Sequence, residues 1–441
     1  MNIFRIILIV TLLMGFLREG MAQLPRRAFL GVKLTAYTAP GTSPDATGGS
    51  GVRIEYVFPQ STGAAAGLQA GDILQKINDT PVSTPAEAVT MIRKLRTGDA
   101  TLFTYKRADQ VQSVKVPLQA YPQESAPGLE TLYESVSIQQ AALRTIITRP
   151  LQPGRHPAVL FITGASCYSV DLAQDTAAAE VQLARQLSRA GYVVMRVERP
   201  GLGDSQGGTP CEQCDFNTEA YYFMMALKAL KARTDVDPRR VFIFGHSMGG
   251  VLGPMIAQQE PVAGIAAYGT MGRPFAEYLL AATREQAVRF DGMRQDSIER
   301  YVRMMFDFTA RFLTLHQSME QILKERPAYQ EVASTLGFRV PGYFWQLHDL
   351  PVARNWQTFS GQTLILWGEY DYVSHPDEGE TIKQAIDQVR PGRCSVVTIP
   401  RTDHDMDAHA SFAEMLADTG NTAAYNPAIG QAVLKWMSGI K

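Results

Sequence analysis

Three residues that lie far apart in the chain are of the types that carry out nucleophilic acyl transfer. Ser247 lies in the sequence GHSMG (245–249), directly after the apolar run VFIF. A serine hydroxyl becomes an effective nucleophile only when a base accepts its proton, and histidine is the commonest such base. His404 follows the apolar run CSVVTIP, and Asp371, which could orient the imidazole, follows LILWG. The three residues predict a catalytic triad of nucleophile, acid and base in that chain order.

The glycines around Ser247 indicate how its hydroxyl would be presented. A G-x-S-x-G sequence between a strand and a helix forms a sharp turn with strained backbone angles at the serine. Gly245 and Gly249 are expected to lie where chain segments approach too closely for a side chain, and Gly250 adds room. The turn would place the hydroxyl at the N-terminus of the next helix, whose dipole favours developing negative charge.

An acyl-transfer site also needs two N–H donors for the oxygen that becomes negatively charged. Met248, the residue after the candidate nucleophile, is expected to supply one backbone donor. Ala165, in the sequence TGAS that follows the strand-like run VLFI, is expected to supply the other.

Other acidic and histidine residues near these motifs are expected to serve other purposes. Glu369 is the alternative to Asp371 as the acid. His246 should point away from the hydroxyl, whereas His375 could line the pocket. Asp204, in the sequence GLGDSQG, should stabilise a turn. A group of residues next to the candidate base is expected to be solvated rather than to hold a metal: Asp403, Asp405, Asp407 and His409. No metal and no cofactor is predicted.

The elements that must position these residues alternate between strand and helix from about residue 136 onward. Apolar runs such as AVLFI and VVMRV read as buried strands, and helical patterns separate them. This alternation predicts an α/β fold with a mainly parallel sheet and helices on both faces. Residues 272–350 interrupt it with helical sequence rich in Met and Phe, which predicts a helical cap inserted over the sheet.

The region 136–441 resembles the α/β-hydrolase superfamily, in its serine aminopeptidase-like and esterase branch. The resemblance rests on GHSMGG, WGEYD, TDH and RPGLGDSQG. It implies that Ser247 is the nucleophile, Asp371 the acid and His404 the base of a serine hydrolase. Many relatives have His-Gly where this chain has Thr163 and Gly164, a departure that leaves a backbone donor intact.

A separate unit is predicted over residues 28–118, and a Pro- and Ser-rich stretch, 119–135, reads as a linker. The sequence AAAGLQAGDIL resembles a PDZ domain of the bacterial type, a small mixed α/β fold. The resemblance implies that Phe29, Leu30, Gly31 and Val32 form a carboxylate-binding loop. The strand that follows could then bind a peptide C-terminus along its edge. An empty groove, or one that holds a segment of the same chain, is the alternative.

The first residues have the pattern of a secretory signal peptide, residues 1–22. Arg5 precedes an apolar run, Ile6 to Leu17, and Gly20-Met21-Ala22 offers small residues for cleavage after Ala22. The run is about 12 residues, shorter than the ~20 that a membrane-spanning helix needs. A periplasmic or secreted protein is therefore expected, with no membrane span after cleavage.

Export would place the cysteines in an oxidising compartment, where a structural disulfide is the favoured interpretation. The C-x-x-C pair, Cys211 and Cys214, has no second pair with which to close a zinc site. The pairing among Cys167, Cys211, Cys214 and Cys394 stays open, with Cys167 a plausible partner for one of the pair. The 441 residues exceed one ordinary core, and a net charge of −1 gives no attraction to nucleic acid.

The leading functional prediction is an enzyme that cleaves a small-molecule carboxylic ester through an acyl-enzyme intermediate. An exopeptidase with the same triad is the close alternative. It would need an acidic residue in the cap to bind the free amine of a peptide substrate, for which Glu277, Asp291 and Asp296 are candidates. A third possibility, from another class, is a PDZ adaptor that carries an inactive hydrolase fold.

Overall fold

The computed structural model describes residues 24–38, 50–290, 292–418 and 422–440. The predicted signal peptide therefore lies outside the described residues. The chain divides into two compact units, Gln23–Gln123 and Glu124–Lys441. In the described residues, no helix combines the length and the apolarity that crossing a membrane requires.

The smaller unit is built on a sheet in which inward-facing residues alternate with exposed ones. Val52 and Ile54 of one strand and Phe103 and Tyr105 of another are buried in a shared core. The strands pair in the order β1-β2-β3-β5-β6, with β4 on β3. Their bounds are β1 Val32–Thr38, β2 Ser50–Val57, β3 Ile73–Ile77, β4 Thr80–Pro81, β5 Ala100–Arg107 and β6 Gln110–Pro117.

Two helices complete this unit, α1 (Thr62–Ala65) and α2 (Pro85–Arg93). The start of α2 is fixed locally: the Thr84 hydroxyl accepts a hydrogen bond from the Glu87 N–H at 3.2 Å, and the Glu87 carboxylate bonds back to the cap. Pro85 occupies the first turn of this helix. Because β1 ends the strand order, it is an edge strand among the described residues.

The larger unit contains an eight-stranded sheet in the order β14-β13-β12-β11-β9-β10-β8-β7. The pairs from β14 to β10 are parallel, and β8 pairs antiparallel with both β10 and β7. The bounds are β7 Leu129–Ile138, β8 Ala141–Pro150, β9 His156–Ile162, β10 Val193–Val197, β11 Val236–His246, β12 Gly264–Tyr268, β13 Gln362–Gly368 and β14 Cys394–Ile399. Two short strands, β15 (Asp407–Ala408) and β16 (Ala424–Tyr425), pair separately.

The prediction of a linker over residues 119–135 is wrong in its second half, because the residues from Leu129 onward belong to strand β7. This strand lies at the edge of the sheet and most of its side chains are only half buried. An edge strand can carry polar residues such as those of LETLYES, and it then resembles a loop in sequence.

Both faces of the large sheet are covered, which explains its continuous apolar strands. On β9, Leu160 and Ile162 belong to one core cluster, whereas Val159 and Phe161 belong to another. The first cluster includes side chains of α4 (Phe216–Ala232), α5 (Met248–Gln259) and α12 (Glu378–Asp387), and the second those of α3 (Ala179–Arg189) and α14 (Pro427–Ser438). A central strand such as β9 therefore has no solvent-facing side.

The cap lies between β12 and β13, as a run of helices that spans Phe275 to Thr358, slightly beyond the predicted 272–350. Aromatic residues such as Phe308, Phe312 and Tyr343 are fully buried in it. The helices are α6 Phe275–Arg289, α7 Gln295–Thr309, α8 Met319–Glu325, α9 Gln330–Ser334, α10 Pro341–His348 and α11 Val352–Thr358; a further short helix, α13 Phe412–Ala417, follows β15.

Candidate active site

Ser247 occupies a strained turn between β11 and α5. Its backbone has φ 53° and ψ −121°, a conformation that residues other than glycine rarely adopt. Its N–H donates to the Tyr268 carbonyl at 2.8 Å, which ties the turn to the neighbouring strand. The side chain is thereby held at the N-terminus of α5.

Steric contacts explain the glycines on either side of Ser247. A Cβ on Gly245 would lie 2.5 Å from backbone atoms of Gly249. A Cβ on Gly249 would lie 2.1 Å from the Ile162 carbonyl oxygen. Neither position can hold a side chain without moving backbone, because real Cβ contacts are not that short. The turn thus depends on both glycines.

Asp371 and His404 form a buried pair. The imidazole Nδ1 lies 3.0 Å from each of the two carboxylate oxygens. Asp371 Oδ1 also accepts the N–H groups of Val373 and Ser374, each at 2.8 Å, and Oδ2 accepts the Ser374 hydroxyl at 2.7 Å. The carboxylate is therefore held in one orientation with its charge directed at the imidazole.

The protonation of this pair follows from its surroundings. Burial alone would raise the pKa of Asp371, but the charge of His404 and the hydrogen bonds from Ser374 hold that pKa below its ordinary value. Burial alone would lower the pKa of His404, but Asp371 raises it above its ordinary value, with Asp405 and Asp403 acting in the same direction. An ionised carboxylate therefore increases the basicity of the imidazole.

Ser247 and His404 line the same cavity, which has a volume of about 670 Å³. Among the described residues, no direct hydrogen bond joins the Ser247 hydroxyl to the imidazole. Catalytic hydrogen bonds often tighten only when substrate is bound. His246 anchors the loop of His404, since its Nε2 lies 2.8 Å from the His404 carbonyl oxygen and must donate to it. Burial and the neighbouring His404 hold the pKa of His246 below its ordinary value.

The two expected oxyanion donors, Met248 and Ala165, also line this cavity. In the part of the chain that the structure describes, neither backbone N–H donates to another residue. The loop of Ala165 approaches the elbow closely, because a Cβ on Gly164 would lie 3.2 Å from the Ser247 Cβ. Both N–H groups are therefore free to bind an oxygen in the cavity.

Sequence reasoning missed the residues that hold the Ala165 loop in place. Arg199 donates to the Gly164 carbonyl at 2.6 Å, and Arg339 donates to the Ala165 carbonyl at 2.7 Å. Both guanidinium groups also bind the carboxylate of Glu219, and all three side chains are buried. Arg199 belongs to the motif RPGLGDSQG and could be noticed in the sequence. No sequence pattern near Glu219 or Arg339 indicates that they interact with it.

A disulfide joins Cys167 to Cys211 and so links this loop to the segment after β10. Cys214 and Cys394 are free and buried. Burial raises the pKa of each thiol to about 12, so neither is a nucleophile at neutral pH. A disulfide fits an extracytoplasmic location.

The acidic and histidine residues considered as alternatives for the site make other interactions. Glu369 accepts the Arg401 N–H at 2.8 Å, and Asp204 forms a buried ion pair with Arg144 at 3.0 Å. His375 was expected to line the pocket; this is wrong, because its ring lies outside the cavity, where it accepts the N–H of a following residue. Asp403 binds His409 at 2.8 Å, and the described residues contain no cluster that could hold a metal ion.

The predicted amine-binding acids are not brought into the cavity. Glu277 and Asp296 are exposed on α6 and α7 and do not line it, and Asp291 lies outside the described residues. The carboxylates that do line it come from other segments: Asp175, Glu180, Asp405 and Asp407. The cap contributes aromatic and aliphatic side chains instead, such as Phe275, Tyr278 and Phe344.

In the smaller unit, the segment predicted as a carboxylate-binding loop leads into β1. Gly31 has φ 64°, and a Cβ there would lie 2.2 Å from the Ser61 Cβ. Within the described residues, the N–H groups of Leu30 and Gly31 make no hydrogen bond. Phe29 and Val32, at the two ends of the loop, are half buried.

Comparison with known proteins agrees with both units. The model of the alpha/beta hydrolase family matches residues 159–419. The chain belongs to this family. A PDZ domain model matches residues 28–118. The predicted fold classes, an α/β-hydrolase fold preceded by a PDZ domain, are thereby confirmed.

Individual relatives are distant. Esterase EstD of Thermotoga maritima is 28% identical over 148 residues, 33% of this chain and 35% of EstD. Magnetosome formation protease MamE of Magnetospirillum gryphiswaldense is 35% identical over 72 residues, 15% of this chain and 9% of MamE. The chain thus spans only 35% of EstD and 9% of MamE. The structure of Est1E from Butyrivibrio proteoclasticus with ferulic acid matches at a TM-score of 0.44 and 14% identity, covering 69% of this chain and 99% of that one.

Proposed function

We propose that this protein is a serine hydrolase that cleaves carboxylic esters through an acyl-enzyme intermediate. The observation that carries the proposal is the Asp371–His404 pair on the same cavity as Ser247, which sits on a strained turn. In this reading Ser247 is the nucleophile, His404 the base and Asp371 the acid. The name of the relative Esterase EstD agrees with it.

Each step has a group to perform it. His404 accepts the proton of the Ser247 hydroxyl as the oxygen attacks the ester carbonyl, and Asp371 stabilises the imidazolium that forms. The carbonyl oxygen becomes negative and accepts hydrogen bonds from the N–H groups of Met248 and Ala165. The imidazolium then protonates the departing alcohol. Water, deprotonated by the same histidine, attacks the acyl-enzyme and releases the acid.

Hydrolysis of p-nitrophenyl esters of increasing acyl length tests this proposal. The wild type should release p-nitrophenol, and Ser247→Ala should lose at least 10³-fold in kcat, as removal of an activated nucleophile does. Ser166→Ala is the matched control, because Ser166 lines the same cavity without a predicted role. Equal loss in both variants, or none in Ser247→Ala, would refute the assignment of the nucleophile.

We also propose that the PDZ domain binds peptide C-termini through Phe29, Leu30, Gly31 and Val32. Support comes from the unbonded N–H groups of the loop and from the edge position of β1. An array of peptides with free carboxylates, compared with the same peptides amidated, tests it. Binding that is indifferent to amidation would reject carboxylate recognition.

Export of the protein is part of the same proposal. The Cys167–Cys211 disulfide is compatible with an oxidising compartment, either the periplasm or the exterior. N-terminal sequencing of the mature protein should begin at Gln23. A mature chain that retains Met1 would refute cleavage.

A further inference from the structure

One wall of the cavity is lined by carboxylates. Glu180, Asp405 and Asp407 form this wall, and the exposed Asp175 lies beside them. The described residues that line the cavity include no lysine or arginine. Substrate carboxylates and phosphates would be repelled from such a wall.

Two of these carboxylates are fixed by tyrosines that line the same cavity. The Tyr168 hydroxyl donates to Glu180 at 2.7 Å, and the Tyr372 hydroxyl donates to Asp405 at 2.5 Å. The hydroxyl groups orient the carboxylates without cancelling their charge. The tyrosine rings are themselves surfaces that attract cations.

Asp407 provides a second, independent observation that points to a cationic ligand. It is only 9% exposed and lines the cavity, yet its carboxylate has no hydrogen-bond or ion-pair partner among the described residues. Burial, together with the charges of Asp403, Asp405 and Glu180, raises the pKa of Asp407 to about 7. A largely buried carboxylate without a partner is costly to ionise, and a cation bound in the cavity would lower that cost.

We propose that this acidic wall, formed by Glu180, Asp405 and Asp407, binds a cationic nitrogen of the substrate. The inference rests on the proposed function and narrows it to esters that carry an ammonium group. Two sources share this chemistry: a quaternary ammonium in the alcohol or acyl part, and the free amine of an aminoacyl substrate. The second source would connect the site to the exopeptidase alternative.

Matched pairs of esters with and without a cationic nitrogen test the proposal. Butyrylcholine and 3,3-dimethylbutyl butyrate differ in that a neutral carbon replaces the ammonium nitrogen, and phenylalanine methyl ester is compared with its N-acetyl form. We expect kcat/KM to favour the cationic member of at least one pair by about tenfold or more, the effect of a charge-assisted contact. The preferred pair identifies the source of the cation.

Substitutions in the acidic wall test which residues produce the preference for the cationic ester. Asp407→Asn and Glu180→Gln should each reduce severalfold the ratio of kcat/KM for the cationic ester to kcat/KM for its neutral counterpart. Glu331→Gln is the control, since Glu331 is an exposed carboxylate of the cap that does not line the cavity. Equal kcat/KM for both members of both pairs in an active wild type would overturn the inference.

Measuring how the two esters bind to the Ser247→Ala variant separates this inference from the proposed function. If no ester is hydrolysed, the proposed function fails, but calorimetry can still compare butyrylcholine with its neutral isostere on the variant. Tighter binding of the cation, lost in Ser247→Ala/Asp407→Asn, would support the acidic wall. Equal affinity for the two would refute it.

Discussion

Replacement of Asp371 by asparagine tests how the site sets the basicity of His404. Oδ1 accepts two backbone N–H groups, so the amide oxygen of Asn should stay there. The amide NH₂ then takes the place of Oδ2 and faces the Nδ1 of His404, 3.0 Å away. An imidazole that accepts this hydrogen bond at Nδ1 carries its own proton on Nε2, where it can no longer deprotonate Ser247.

The magnitude follows from Coulomb's law. A carboxylate and an imidazolium 3.0 Å apart attract each other by about 5 kcal/mol at an effective dielectric constant of about 20. At about 1.4 kcal/mol per factor of ten, the loss of this attraction and of the correct tautomer predicts a fall in kcat of roughly 10³- to 10⁴-fold.

The assay is kcat together with kcat/KM, whose pH dependence reports the free enzyme, for p-nitrophenyl ester hydrolysis, with circular dichroism as the control for folding. In the wild type, activity should rise with pH through a value above 6.5, because Asp371 raises the pKa of His404 and only the neutral imidazole is a base. In Asp371→Asn this limb should shift to lower pH. A folded variant within tenfold of the wild type, with an unshifted limb, would refute the reasoning.

Three further perturbations address the support of the site. Glu219→Gln leaves two buried arginines without their shared carboxylate and should cost about 3–5 kcal/mol in the free energy of unfolding; a denaturation midpoint equal to the wild type's would contradict this. Reduction of Cys167–Cys211, which closes a loop of 44 residues, should lower the free energy of unfolding by up to about 4 kcal/mol and should change kcat more than KM. Thermal melts and kinetics with and without reductant measure both effects, and no change in either would show that the disulfide does not stabilise the loop of Ala165. Gly249→Ala should give either insoluble protein or a folded protein with little activity, because the added methyl group meets the Ile162 carbonyl; full activity would show that the turn tolerates a side chain.

The residues predicted from sequence are those that a short motif and its flanking strand define. Ser247 could be placed because the glycines, the preceding strand and the following helix are contiguous in the chain. Asp371 and His404 could be placed because each follows an apolar strand and their order matches a known family.

Features that depend on contacts between distant segments could not be predicted. Glu219 pairs with Arg199 and Arg339, and only folding brings these residues together. The cavity-facing carboxylates were missed for the same reason: Glu180 lies in the first turn of a helix, and Asp407 looked like one of several solvated residues. The edge strand β7 was missed because its polar residues lack the apolar pattern of the buried strands.

The central claim is that Ser247 is an activated nucleophile, and covalent labelling tests it most directly. After reaction with a fluorophosphonate, mass spectrometry of the digested protein should find the adduct on the peptide that contains Ser247. The same adduct should form at least 10²-fold more slowly in His404→Ala, since the base is lost. A folded wild type that remains unlabelled, or that is labelled at another residue, would contradict the account.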